Sequence, residues 1–315
     1  MSTTNYPNGV SSFGVPVMGG MSLPSTTGRY IFVSSVSGSN GNTGLSVEAP
    51  VATLLQALVV ANANKDDIVV LMANHAETVS AAYAIAKAGV RIIGLGVGSA
   101  RPTFTFDTSA SVARFTVTGK NIGFWNCVFV ANFGDIGTII LVGASPEFAV
   151  EDCVFRDTSS SLNMLACVTT TVTVNADGMR FNRNRVEMLG TTAATVPVKI
   201  LGTMSRLQVN ENFVTKAVLN NTSCLVNHAA LVMTNLEMAR NVINSANTDS
   251  ATGGFLIVTS STTNTGHVYD NKIIGRDTAA AVMITGTGHK YGQTNNLYSG
   301  DVDTSGFVLP AIGTD

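Results

Sequence analysis

The chain has 315 residues, 45% of them apolar and only 12% charged, with a formal net charge of −2. That length supports a large buried core, the apolar share excludes a disordered chain, and the near-neutral balance leaves no basic footprint for nucleic acid. No run of about 18 apolar residues is present and the first charged residue is Arg29, so neither a membrane span nor a secretory signal is expected.

Residues 1–29 are rich in Gly, Ser, Thr and Pro, almost uncharged and without periodicity. Such a segment cannot build a core alone, and its scattered apolar residues Tyr6, Phe13, Val15, Val17 and Met18 want a neighbour. It reads as an extended arm that contacts a partner subunit or the body of its own chain. Residues 30–66 form an entry segment. Pro50 suits the first position of a helix, and Leu54, Leu55, Leu58 and Val59 then share one helical face, predicting a short capping helix.

From residue 67 to 300 a phrase recurs: Asn or Asp, any residue, then Val or Ile. The copies start at Asn126, Asp152, Asn184, Asn212, Asn241 and Asn271, spaced 26, 32, 28, 29 and 30 residues apart. Periods of this size mean stacked repeats. The residues before each copy alternate apolar and polar, the pattern of a half-buried strand, as in Ile122-Gly123-Phe124 and Leu207-Gln208-Val209. Some 10 to 14 residues after each copy comes a second apolar run, such as Ile139 to Val142 and Val196 to Leu201. No amphipathic helix pattern intervenes, so each repeat is read as one coil of at least two strands, pairing in parallel with the next coil. The class is all-β: a single-stranded parallel β-helix (solenoid).

Stacking turns equivalent positions into columns. The six Asn/Asp residues form a structural ladder of hydrogen-bonded side chains, and Val128, Val154, Val186 and Val214 one inward column. The residues before the ladder, Trp125, Glu151, Arg183, Glu211, Arg240 and Asp270, alternate in charge from the second on, predicting an exposed ion-pair ladder that acts as a register device. The intervals 156–163, 189–195, 215–223 and 244–254 read as side loops. Residues 301–315 leave the repeat, with the apolar run Phe307 to Ile312 covering the last coil or meeting a partner.

The segments Tyr30-Ile31-Phe32-Val33, Gly38-Ser39-Asn40-Gly41-Asn42-Thr43-Gly44-Leu45-Ser46, Asp67-Ile68-Val69-Val70-Leu71-Met72 and Gly89-Val90-Arg91-Ile92-Ile93-Gly94-Leu95-Gly96 resemble the entry of right-handed parallel β-helices of the pectin-lyase-like class. The opening Asn5-Tyr6-Pro7-Asn8-Gly9-Val10 with Ser12-Phe13-Gly14-Val15-Pro16 is similar to tailed-bacteriophage virion proteins that join such an arm to a β-helix. The resemblance implies a virion protein assembled in the host bacterial cytoplasm, most simply a capsid decoration (cement) protein whose partners are the major capsid protein or sister subunits, in a homotrimer. The alternative it leaves open is a tailspike or fibre that binds or depolymerises host polysaccharide.

Asp66-Asp67 and Glu151-Asp152 are neighbours in sequence, and neighbours on a strand point to opposite faces, which does not suit a glycosidase dyad. The entry loop Ser39-Asn40-Gly41-Asn42 lacks carboxylates for calcium, and His75, His228, His267 and His289 lack ligand spacing. Cys127, Cys153, Cys167 and Cys224 show no metal spacing; Cys127 and Cys153, in consecutive coils, read as buried thiols, with a disulfide as the alternative. With one Trp and six Tyr, provision for sugar stacking is thin. The expectation is a non-enzyme with no catalytic residue, metal or cofactor, no nucleic-acid partner and no membrane.

Overall fold

Strand pairing sets the architecture. A computed structural model describes residues 23–109, 111–172, 175–191, 195–218, 225–228, 232–244 and 263–273 in full, and strand paths alone at 10–12, 15–17, 245, 257–259, 274–275, 284–285, 290–291, 296–299 and 308–310. The chain is a right-handed parallel β-helix with three long sheets of ten, ten and eight strands. In a central coil, Gly123–Trp125 lies in the first sheet, Val128–Ala131 in the second and Ile140–Val142 in the third. The next coil repeats them as Ala149–Glu151, Val154–Asp157 and Ala166–Thr170, each parallel to its predecessor. The strand after the Asn/Asp turn makes three per coil, within the reading of at least two. At the C-terminal end Val308–Pro310 pairs antiparallel with Asn296–Ser299, and near the N-terminus Val10–Ser12 pairs antiparallel with Val15–Val17. None of the described helices is long and apolar enough to cross a membrane.

The inward column of the second sheet is not the one the repeat suggested. Val128 pairs with Val154, but Val154 pairs with Arg185, and it is Phe155 that stands beside Val186. The buried column runs Phe129, Phe155, Val186, Val214, Ile243, Ile273, while Val128 and Val154 belong to the outer column with Arg185 and Phe213. Copies three to six are shifted by one residue against copies one and two. Because side chains alternate with period two, a one-residue shift exchanges the faces. The turn geometry shows where the shift lies. In the first two coils the left-handed residue is the motif's own Asn126 or Asp152 (φ 56° each); from the third it is the residue in front, Arg183, Glu211, Arg240 and Asp270 (φ 55°, 60°, 56° and 54°). A non-glycine residue there costs about 1–2 kcal/mol, so side-chain bonds across the turns have a strain to offset.

Aromatic rings fill the middle of the rod. Phe104, Phe129 and Phe155 stack coil on coil, with centroids 6.0 and 4.7 Å apart, and Phe115 meets Phe104, Phe106 and Phe129 edge to face. The N-terminal end is capped by the helix Leu54–Val60, whose N-cap is Thr53, with Oγ1 accepting from the Gln56 N–H at 3.2 Å; Pro50 lies outside it. Leu54, Ala57 and Leu58 are buried, whereas Leu55 and Val59, expected on the same face, are exposed. The outer face of the first sheet at this end is apolar (Phe32, Ile68, Val70), and Leu23 covers it. Pro24 and Ser25 are fastened there by Tyr30 Oη and Arg91 Nη2, which donate to their carbonyls at 3.0 and 3.3 Å.

Asp157 is a buried acid on the inward side of the second sheet. Its Oδ1 accepts from Met164 N at 2.8 Å and its Oδ2 from Leu189 N at 2.7 Å, tying the strand to two side loops. Burial outweighs those bonds and pushes its carboxyl up to about 7. A raised folded-state value means the native protein binds the proton more tightly than the unfolded chain between pH about 4 and 7, so stability falls as pH rises through that window. The unfolding midpoint is expected to drop between pH about 4 and 7, and Asp157→Asn to flatten that slope; thermal melts across the range check it, and an unchanged slope in the variant would assign the dependence elsewhere.

Candidate functional site

The turns between the first and second sheets form an edge along the rod, and the described groups that could meet a ligand gather on its two flanks. The edge itself is held by amides. Asn184 N–H donates to Asn212 Oδ1 (2.9 Å), Asn212 N–H to Asn241 Oδ1 (3.0 Å) and Asn241 N–H to Asn271 Oδ1 (3.0 Å). Their Nδ2 groups donate to the carbonyls of Val150, Phe181, Val209 and Met238 one coil back. Asn126 and Asp152 stand one place away, in the left-handed position; Asn126 Nδ2 donates to Gly94 and Gly96 carbonyls, and Cys127 and Cys153 fill the buried place that asparagine takes in later coils. Both cysteines are free thiols, and burial, then the neighbouring Cys153, pushes the Cys127 thiol up. In the charge column Arg183 Nη2 meets Glu151 Oε2 at 2.7 Å and Arg240 Nη2 meets Glu211 Oε1 at 2.8 Å, as the alternation predicts, and the shifted turn adds Asp152, whose Oδ1 meets Arg183 Nε at 2.9 Å. Of the arm residues, Tyr6, Phe13 and Met18 lie outside the described residues, and so do the side chains of Val15 and Val17.

On the first-sheet flank, Trp125 points outward beside Ile93 and Glu151. Gly123 faces the same way two residues earlier, and the indole lies down across it: a Cβ at Gly123 would sit 2.4 Å from Trp125 Cη2 and 2.9 Å from the Ala149 carbonyl oxygen. Only glycine leaves room for the ring to lie flat. Asn64, Asp66, Arg91, Lys120, Asn121, Glu147 and Arg180 complete an open groove around it. Two ion-paired walls keep the polar groups in place, Arg91 with Asp66 (2.9 Å) on one side and Arg180 with Glu151 (3.1 Å) and Glu147 (3.4 Å) on the other. An aromatic floor with fixed donors and acceptors on both sides matches a polyhydroxylated ligand, apolar on its ring face and polar at its rim.

The second-sheet flank carries Arg101, Arg156, Arg183 and Arg185 around Thr103, Val128 and Val154. The neighbouring arginines Arg180, Arg183 and Arg185 are thus divided: Arg180 faces the first-sheet groove, Arg183 sits on the turn, and Arg185 faces outward from the second sheet.

A third cluster has the outline of a catalytic triad. His75 Nδ1 accepts from Ser35 N–H (3.0 Å), which leaves Nε2 to donate to Glu77 Oε2 (3.1 Å); Tyr83 Oη donates to Glu77 Oε1 (2.9 Å), and Leu54 N–H, at the start of the capping helix, to Glu77 Oε2 (2.9 Å). Burial and the adjacent Glu77 push the Tyr83 hydroxyl above its ordinary range. His75 is buried and saturated with partners, so the cluster clasps cap to coil. His267 lies opposite Glu237 and Lys290. Among the described residues no group of three or more His, Cys, Asp or Glu gathers as a metal would require.

No family model and no curated protein matches the chain. Among solved structures it is similar to a rhamnogalacturonan lyase, at 11% identity over 90% of each chain with a TM-score of 0.51, and more distantly to the pectate lyase Pel9A, at 13% identity over 86% of this chain and 80% of that one with a TM-score of 0.39. The likeness shows the fold, a β-helix of the polysaccharide-lyase type. It also corrects the expectation of a non-enzyme, because a lyase is built on this same frame. That expectation rested on sequence-adjacent acids and His spacing, and in a solenoid the groups that meet come from different coils, some 30 residues apart, where adjacency cannot find them.

Proposed function

We propose that this β-helix is a virion protein that engages host polysaccharide along the first-sheet groove. Trp125 carries the reading: an indole held flat on a sheet by a glycine beneath it, between two ion-paired walls, is a costly arrangement for a surface that serves only as a spacer. Capsid decoration asks for a lattice contact and has no use for such a floor, so the tailspike or fibre role is preferred to the cement role. In that role the arm, with Tyr6, Phe13, Val15, Val17 and Met18, supplies contacts to sister subunits, in a trimer, or to the particle. Finding no trace of the chain in purified particles would remove the virion part of the proposal.

Trp125 is the single tryptophan, so intrinsic fluorescence reports on the groove directly. Host surface polysaccharide is expected to shift or quench it saturably, and Trp125→Ala to abolish binding measured by calorimetry. Gly123→Ala, which lifts the ring, is expected to weaken binding about tenfold or more, the scale of losing one well-formed aromatic contact. Full binding by both variants would show that the groove is not the site, and the release of shortened chains during the same incubation would extend binding to cleavage.

A further inference from the structure

The second-sheet flank concentrates positive charge that the chain as a whole does not have. Arg156 and Arg185 are exposed and point outward from adjacent strands, the first in the third position of Val154–Asp157 and the second in the first position of Arg185–Met188. Strand geometry puts their Cα atoms roughly 8 Å apart. Arg101 donates through Nη2 to the Asp152 carbonyl, while its Nε is buried without a partner. Arg183 is satisfied: Asp152 takes it through both oxygens, at 2.9 and 3.0 Å, and Glu151 at 2.7 Å. Asp152 lines this groove and is already engaged, and Glu187 stands in register with Arg156 on the next strand without an ion pair to it among the described residues. Arg101, Arg156 and Arg185 therefore present three guanidiniums without an ion pair among the described residues, over a floor of Thr103, Val128 and Val154.

We infer that this flank is a second binding site, which takes the oxyanions of an acidic glycan. Guanidinium forks bind carboxylate and phosphate oxygens through paired N–H bonds, and the planar match is what lysine would lack. Successive coils rise by about 4.8 Å, so a chain laid along the rod axis meets Arg101, Arg156 and Arg185 in turn. A nucleic acid is the poorer occupant. The protein carries a net charge of −2, three cations are a small footprint, and no aromatic ring lines the groove to stack on bases. The site is on the opposite flank of the turn from Trp125 and does not depend on the first-sheet groove.

The test uses the full chain and three polymers in affinity electrophoresis: polygalacturonate as the carboxylate polymer, polyphosphate as the phosphate polymer, and neutral dextran. Polygalacturonate is expected to retard the protein, less so as salt is raised, and dextran to leave it unretarded. The double variant Arg156→Gln/Arg185→Gln is expected to bind polygalacturonate at least tenfold more weakly, with an unchanged melting temperature since both residues are exposed. A charge-matched control, Lys65→Gln/Lys199→Gln, is expected to bind as the parent does. No retardation by polygalacturonate, or equal loss in the control and the arginine variant, would overturn the inference. Retardation by polyphosphate alone would reassign the groove to a phosphate polymer and overturn the glycan. Trp125 fluorescence with host polysaccharide is read separately, so failure of one site leaves the other standing.

Discussion

Asn241→Ala is expected to lower unfolding stability by about 2–5 kcal/mol, as much as many whole-core truncations. Asn241 is buried and works in both directions along the edge. Its Oδ1 accepts from the Asn212 backbone and side chain, at 3.0 and 2.9 Å, and its Nδ2 donates to the Val209 carbonyl and Asn271 Oδ1, at 2.7 and 2.8 Å. Alanine leaves the Asn212 N–H and the Val209 carbonyl in a dry interior without those partners, at about 1–3 kcal/mol for each group. It also releases the restraint on neighbouring turns that hold Glu211 and Arg240 in the left-handed region. Asn241→Asp is expected to be worse, since an oxygen replaces the donor that faces two acceptors. Asn126→Ala, at a half-exposed position outside the amide ladder, should cost about 1 kcal/mol. Urea unfolding of the three variants checks the order; an Asn241→Ala protein as stable as the parent would mean that the ladder is incidental to the coil stack.

Phe115→Ala is expected to cost about 3–5 kcal/mol. Phe115 is fully buried, and its ring centroid lies 5.1 Å from that of Phe104, 5.4 Å from Phe106, 5.2 Å from Phe124 and 6.1 Å from Phe129. These neighbours come from the other two sheets, so no single strand can move to close the cavity. Phe213→Ala is the contrast: this ring is 44% exposed on the outer face of the second sheet, and its loss should fall within about 0.5 kcal/mol of neutral. Thermal unfolding distinguishes them, and equal effects would show that the aromatic stack is not where the rod gains its stability.

The two grooves illustrate why the fold was easier to read than the site. Coil length, strand alternation and the absence of helical periodicity are local, and they survive in any window of some 30 residues. The floor of the first groove also has a local trace, a glycine two residues before a tryptophan on one strand, which puts both on one face. Its walls do not: Asp66, Arg91, Glu147 and Arg180 lie far apart in sequence and meet only through stacking. The second groove was obscured by proximity, because Arg183 and Arg185 look like one cluster until the turn sends the first to the edge and the second to the sheet. The one-residue shift between the second and third coils hid in the same way. A recurring Asn/Asp-x-Val fits both alignments, and only the hydrogen-bonded register decides which residue turns left-handed.

The sequence by itself determined that this chain is a parallel β-helix, that its coils are joined at an Asn-rich edge and that alternating charges accompany that edge, because each follows from a repeat period and from the two-residue alternation of strands. The tertiary structure alone decided which column faces inward, which arginines keep a free fork and where the indole lies. Those depend on which residue of one coil is set beside which residue of the next, a pairing made by backbone hydrogen bonds between segments distant in the chain.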